Sequence, residues 1–539
     1  MGGASAGEEA AVAIGSKHAE AVTAFNRFGF GARPGDLDAA AGDPRGLLLE
    51  ELWTADVALI RDPVPPSGLM AFEAYYLDQQ KQRAARMKIA MAASPTASTP
   101  TAAAAQVAMT RMAAPPPGDP TALTKTADLS AAPTAPVSAM TPAPTGAPSS
   151  QSMAPHEGKP PAKPEPPKPP PVEQELFRHE AEARLRNQLQ ARVGFVERLV
   201  AFWSNHFAVS VAKSNELRVA AGPFEREAIR PNVLGKFGAL LRAAESHPAM
   251  ILYLDNQNSI GPDAAPGKFA GRGLNENLAR EILELHTLGV GSGYSQADVT
   301  ELARILTGWS VAGPDSEGGQ PGAFLFKPNW HEPGVRRFLG KTYAENGVDQ
   351  GHAALDDLAR HPATARHIAT KLVRHFVADN PPADLVEALA RRFLDSDGNL
   401  AVVASALVSD DRAWIAKPTK IRTPLEFVLA AARVSSFQPK DPNLYLQSLN
   451  LLGMPLWQPG GPNGFSDASD AWASPEGMKA RLDLAASMGQ RMRTADPLAT
   501  LKAGLGETAS LETRQAVERA ESREQALALL FMAPEFQRR

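Results

Sequence analysis

No aromatic residue occurs between Tyr76 and Phe177, and the stretch between them is built largely from Ala, Pro, Thr, Ser and Met. Such a composition cannot bury enough apolar surface to offset the entropy of ordering, roughly 1–2 kcal/mol per residue for the backbone alone. Runs such as Ala113–Pro117 and Lys159–Pro171 favour extended, solvated backbone. Residues 84–172 are therefore expected to be a disordered Ala/Pro/Thr/Met-rich linker that divides the 539-residue chain. The folded part must come from its two flanks. Residues 1–83 form a helical segment too short to build a core alone, expected to dock on a main domain at 173–539.

The flanks read as helices. From Glu173 to Phe207, Leu176, Leu185, Leu189, Val193, Val196, Leu199, Val200 and Trp203 keep helical spacing, which predicts one long helix. Further helices are predicted at Asn232–Glu245, Gln296–Thr307, Pro362–Asp379, Leu400–Ser409 and Pro424–Ser435, among others. Proline recurs at first helical positions, where its missing N–H costs nothing. Ser295-Gln296-Ala297-Asp298 has the form of a capping box. His247-Pro248-Ala249 and His361-Pro362-Ala363 repeat at helix starts, which helix-entry chemistry explains without an internal duplication. Alternating strands are scarce, Phe324-Leu325-Phe326 being the best candidate. The class is all-α: a multi-helix domain with a long disordered insertion.

Composition narrows the function. The 55 basic and 59 acidic residues give a net charge of -4, so there is no electrostatic case for nucleic acid. No cysteine is present, which excludes thiolate nucleophiles, disulfides and cysteine-ligated metal sites. No apolar run reaches about 18 residues, so no transmembrane span is expected. Residues 1–15 lack a basic segment followed by an apolar one, which makes the cytoplasm the default expectation.

Chemistry-bearing residues concentrate in Asn275–Gly289. On a wheel of about 100° per residue, Leu278, Ala279, Ile282, Leu283 and Leu285 fill one arc, with Asn275 and His286 inside it. Asn277, Arg280, Glu281 and Glu284 gather on the far side. A buried amide or imidazole left unpaired costs about 1–3 kcal/mol, so the helix is either the spine of a polar site or the anchor of a hydrogen-bonded core. Glu281 and Glu284 share a face and could bind a divalent cation or act as acid and base. Against that, Glu276, Arg280 and Glu284 also form an i, i+4, i+8 ion-pair ladder. His286 lies about 140° from Glu281 on such a wheel, so its metal partners would come from other elements, with His206 and His331 as candidates. Asn205, Asp255, Asn275, Asn277, Arg280 and Trp457 are candidate ligand-binding residues. Asp255 is equally a turn residue, and Trp457 could stack on a sugar or pack its loop. His367, Lys371, Arg374 and His375 make a basic helical stripe, expected to be a solvated face, with binding of an acidic polymer or phosphorylated ligand as the alternative.

Several blocks in one order resemble a bacterial family catalogued as domain of unknown function 1800. They include Trp203–Phe207, His247–Met250 running into Tyr253–Asn256, and Leu274–Gly289. Asp298 through Trp309, His331–Gly334, His361–Thr364 through His375–Val377, and Gly453–Trp457 follow. The resemblance implies a mostly helical protein, an exported one in many members, often encoded beside a sulfatase-like partner; it brings no reaction.

Two functional readings follow. One is an enzyme with a polar or metal-assisted pocket on the 275–289 helix, with Glu281, Glu284 and His286 as catalytic groups. The other is a non-catalytic binding or assembly module, envelope-associated if exported. An enzyme needs these groups converging on a concave pocket; a scaffold needs them paired to each other and to backbone.

Overall fold

Caps set where the helices begin. The Thr423 hydroxyl accepts from the Glu426 N–H and the Glu426 carboxylate accepts from the Thr423 N–H, with Pro424 between them at the first helical position. Ser295 and Asp298 cap each other in the same way, as their sequence predicts. The repeated His-Pro-Ala has a local cause: Nδ1 of His247 and of His361 each accepts from the N–H two residues on, at 3.1 Å.

The computed structural model describes residues 17–93, 169–264, 273–415 and 417–539. Internal packing divides the chain into Met1–Gln82 with Pro170–Arg539 as one unit, and Arg83–Pro169 as another. Residues 94–168 of the expected linker lie outside the described residues. Its opening instead continues the helix Gly68–Ala93, because Ala, Met, Lys, Arg and Gln propagate a helix without needing a core.

The described residues are mostly helical. The elements around the candidate site are α1 (Val172–Gln190), α2 (Phe195–His206), α3 (Asn215–Pro223), α4 (Phe237–Glu245), α5 (Asn277–Glu281), α6 (Pro362–Phe376), α7 (Pro424–Val434) and α8 (Pro442–Leu451). Two antiparallel hairpins complete this part. One pairs β1 (Trp309–Val311) with β2 (Phe324–Phe326), Ser310 opposite Leu325; the other pairs β3 (Arg336–Phe338) with β4 (Lys341–Tyr343). Among the described residues no helix is long and apolar enough to cross a membrane.

Two expected helices are broken, each for a tertiary reason. The span predicted from Glu173 to Phe207 stops at Gln190 and restarts at Phe195. Gly194 takes a φ of +89°, which favours glycine. Buried side chains from elsewhere then satisfy both exposed ends. The Glu51 carboxylate accepts from the N–H groups of Val193, Gly194 and Val196. The Arg433 guanidinium donates to six carbonyls, those of Gly31, Gln188, Leu189, Ala191, Arg192 and Val193. Helix ends buried without such partners would be costly.

The second break falls within the 275–289 block. Asn275 lies ahead of α5, and the α-helix yields at Ile282–His286 to a π-helical turn. The wider turn invalidates the 100° wheel beyond Glu281, so the angle assigned to His286 does not hold. Two further π turns occur among the described residues, Ala24–Phe28 and Phe224–Ile229. Two of the three contain a group bound by α2, and the residue after Ala24–Phe28, Gly29, supplies another.

Candidate functional site

Helix α2, FVERLVAFWSNH, is buried nearly all round, so its polar residues must find partners inside the protein. Each does so on a different element. Glu197 binds Arg230 through two bonds, at 2.6 and 3.0 Å. Arg198 donates to the Gly29 carbonyl, which follows the first π turn, and its Nη2 lies 2.8 Å from Glu426. The Ser204 hydroxyl donates to Glu225, in the second π turn, at 3.0 Å. His206 Nε2 donates to the carbonyl of His286, in the third, at 3.1 Å. Asn205 clamps the backbone of Phe465 from both sides, accepting from its N–H and donating to its carbonyl. The spine of the polar site is thus α2, rather than the 275–289 helix.

Between α2, the π turn at Phe224–Ile229, the start of α7 and the loop through Trp457 and Asp467 lies a cavity of about 70 Å³. At the ~10–15 Å³ that each water needs, it holds a handful of waters. Phe30, Ala201, Val209, Phe224, Leu456 and Trp457 supply apolar wall. Two charged networks supply the rest.

The first network centres on Glu225. Oε2 receives the Ser204 hydroxyl and the Trp457 indole N–H and lies 3.2 Å from Arg184, while Oε1 accepts from Arg230 at 3.0 Å. Burial pushes this carboxyl up, but Arg184 and Arg230 outweigh it and hold the group below its ordinary value. The Arg184 guanidinium also lies over the Trp457 ring, 5.5 Å from its centre.

The second network joins Glu426, Arg198, Arg539, His375 and Asp467. Glu426 lies 2.8 Å from Arg198 and 2.7 Å from Arg539. Against the cost of burial, those two arginines draw its carboxyl far below the usual range. His375 Nδ1 donates to Asp467 at 2.7 Å, and Nε2 accepts from Arg198 at 3.2 Å. Because arginine can only donate, this fixes the ring as the neutral Nδ1–H tautomer, in keeping with a His375 value lowered by burial. Burial would raise Asp467 too, but its interaction with His375, with Lys420 and Arg539 nearby, brings it to about 2. Lys420 closes the network by donating to the Asp467 carbonyl and the Asp379 carboxylate, each at 2.6 Å.

The residues singled out from sequence are only partly brought together. His286 Nδ1 stands 2.7 Å from Glu245 Oε1, both side chains wholly buried, yet neither ring nitrogen and neither carboxylate oxygen makes a hydrogen bond among the described residues. His206 accepts from Lys371 at 2.9 Å and packs on His286, ring centres 5.8 Å apart. Burial and the Lys371 charge push His206 well below its ordinary value. His331 sits elsewhere, bonded through Nδ1 to the Thr307 carbonyl and packed against Phe326. No group of three His, Asp or Glu among the described residues has the geometry to hold a metal ion. His206, His286 and His331 therefore do not form the shared site considered from sequence.

Arg280 pairs with Glu276 at 3.0 Å and with Glu284 at 3.5 Å, realising the surface ladder. Glu281 is half-buried, and burial raises its carboxyl. Asp255 holds Lys213 at 2.6 Å and, at a φ of +59°, acts as a turn residue. Asn275 bonds the Leu254 carbonyl and the Asn277 N–H, while the Asn277 side chain is exposed. Trp457 is buried and packs its loop onto Arg184 and Glu225.

The basic stripe on α6 is a correction. His367 donates to the Leu285 carbonyl, Lys371 meets His206 and His375 meets Asp467, so this face turns inward instead of toward solvent. Sequence reasoning also missed Arg198, Glu225, Glu426, Asp467 and Arg539. The one local hint was the Thr-Pro-Leu-Glu cap at Glu426; the remaining pairs join distant segments and leave no spacing to read.

A model of the family described as Protein of unknown function (DUF1800) matches residues 23–538, which span every cavity-lining side chain. No curated protein and no solved structure matches the chain.

Proposed function

We propose that this chain, which belongs to the DUF1800 family, is a binding protein for a small molecule held in the α2 cavity. The carrying observation is that the charged walls are paired before any ligand arrives. Glu225, Glu426 and Asp467 are held ionised, and both nitrogens of His375 are engaged. General acid–base catalysis works best with a group titrating near the working pH. These wall groups have been moved away from neutrality, which supports binding over proton transfer.

The wall suggests the ligand. Asp467 uses Oδ1 on His375, and its side chain is 18% exposed. Its second oxygen can take a hydrogen bond from an amine or hydroxyl, while Phe30, Phe224 and Leu456 face an apolar body. The pairing of His206 with Lys371 and of Arg280 with its glutamates supports the same non-catalytic reading for the 275–289 region.

Thermal-shift titration with ethanolamine and n-propylamine tests this. The parent should gain stability with ligand; Asp467→Asn, and Ala201→Leu, which fills the cavity, should not. Absence of any shift, or a shift retained in both variants, would overturn the proposal. So would turnover of an ester or amide substrate that Asp467→Asn abolishes.

A further inference from the structure

Beside the cavity, sharing Pro455 and Leu456 with its rim, runs a separate and larger groove of about 650 Å³. Its size falls within the roughly 300–1,000 Å³ of small-molecule sites. Two helices line it. On α1, Gln174, Phe177 and Arg178 share one face at i, i+3, i+4; on α8, Asn443, Gln447 and Asn450 share one at i, i+4, i+7. Glu175 of α1, Arg218 of α3 and Gln458 complete the polar lining.

Arg178, Gln174, Gln447, Asn450 and Gln458 are exposed, and Arg218 is half-buried. The arginines around α2 are all bonded to carboxylates or carbonyls, yet Arg178 and Arg218 form no ion pair and no side-chain hydrogen bond among the described residues. The same is true of the amides of Gln174, Gln447, Asn450 and Gln458. A row of amides offers both donors and acceptors, the pattern that vicinal hydroxyls answer. Two free guanidinium forks facing a single groove carboxylate, Glu175, leave a net positive charge suited to a carboxylate. Phe177, half-buried and edge-on to Trp457 at 5.7 Å between centres, adds one flat apolar surface.

We infer that this groove binds an acidic oligosaccharide, its sugar hydroxyls read by the amides and its carboxylate by Arg178 and Arg218. A peptide is a poorer occupant. The groove walls are helix faces whose backbone bonds are already made within each helix, so no strand edge is free to pair with a peptide backbone. The single aromatic gives little anchorage for apolar side chains. The site is independent of the α2 cavity and of the ligand proposed there.

Calorimetric titration of the full chain with trigalacturonate, maltotriose and tetraglutamate tests the inference. Trigalacturonate should bind saturably and maltotriose about tenfold more weakly. Gln447→Ala with Asn450→Ala should weaken both sugars, whereas Arg178→Ala with Arg218→Ala should remove the preference for the charged one. These positions are surface-facing, and unchanged circular dichroism confirms the fold of each variant. Ala201→Leu, which blocks the α2 cavity, should leave the sugar isotherm intact. No binding of trigalacturonate at millimolar concentration, insensitivity to the groove substitutions, or equal binding of tetraglutamate would overturn it.

Discussion

His375 Nδ1 donates to Asp467 Oδ1 at 2.7 Å across 92 residues of sequence, while Arg198 occupies the other ring nitrogen at 3.2 Å. The imidazole is thus clamped in one tautomer, with no lone pair left for a substrate. Asp467 becomes a fixed negative charge on the cavity wall. Its carboxyl lies near 2 against an ordinary 3.8. A depressed carboxyl contributes stability that is fully present above its unfolded value and lost as pH falls through the folded one. The loss should therefore fall between about pH 4 and 2 and be on the order of 2 kcal/mol. Urea denaturation across that window should show a shallower pH dependence for Asp467→Asn than for the parent; an equal slope would count against the clamp.

His247 caps the helix Pro248–Tyr253 through Nδ1, and burial lowers its value to about 3. Nδ1 must stay unprotonated to accept the Ala249 N–H. The sign is again that of a depressed group: stability is present above about pH 6.5 and declines as pH falls toward the folded value, by about 1.4 kcal/mol per pH unit. His247→Asn keeps a capping acceptor and removes the titration. Its stability between pH 6 and 4 should fall less steeply than the parent's, as followed by urea midpoints.

The break between α1 and α2 should be sensitive to single changes. Gly194 has a φ of +89°, and an added Cβ would lie 3.2 Å from Cδ2 of Phe30. Gly194→Ala is expected to cost about 1–3 kcal/mol. Arg433→Met strips its donors from six carbonyls, four of them buried, and should cost at least about 3 kcal/mol. Guanidinium unfolding curves measure both. An Arg433→Met loss below that of Gly194→Ala would show that water replaces the guanidinium.

His286 and Glu245 face each other at 2.7 Å with no exposure to solvent. Removing one partner strands the other, so His286→Leu should cost about 3–5 kcal/mol, and adding Glu245→Leu should recover much of it. A double-mutant cycle measures the coupling. Elemental analysis of the same preparations supplies a second readout: stoichiometric metal in the parent that disappears in His286→Leu would replace this structural role with a metal site.

Local chemistry was legible in the sequence wherever the causal residues are neighbours. Ser295 with Asp298 as a capping box, proline at helix starts, Phe324–Phe326 as a strand and the Glu276-Arg280-Glu284 ladder each depend on groups within a few positions. Apolar periodicity likewise marked most helices and the all-α class. It also placed His286 in a buried setting, as the structure does.

Tertiary structure decided what those helices enclose. Glu51 and Arg433 cut one periodic stretch into two helices, because distant side chains can satisfy backbone groups that periodicity assumes are bonded locally. A π turn redirected His286, since a single wider turn shifts every later residue on the wheel. The basic stripe of α6 turned inward because His206, Leu285 and Asp467 supply partners from three other segments. The sequence shows that a residue can carry charge; only the assembled fold determines whether that charge meets water, an opposite charge or a cavity.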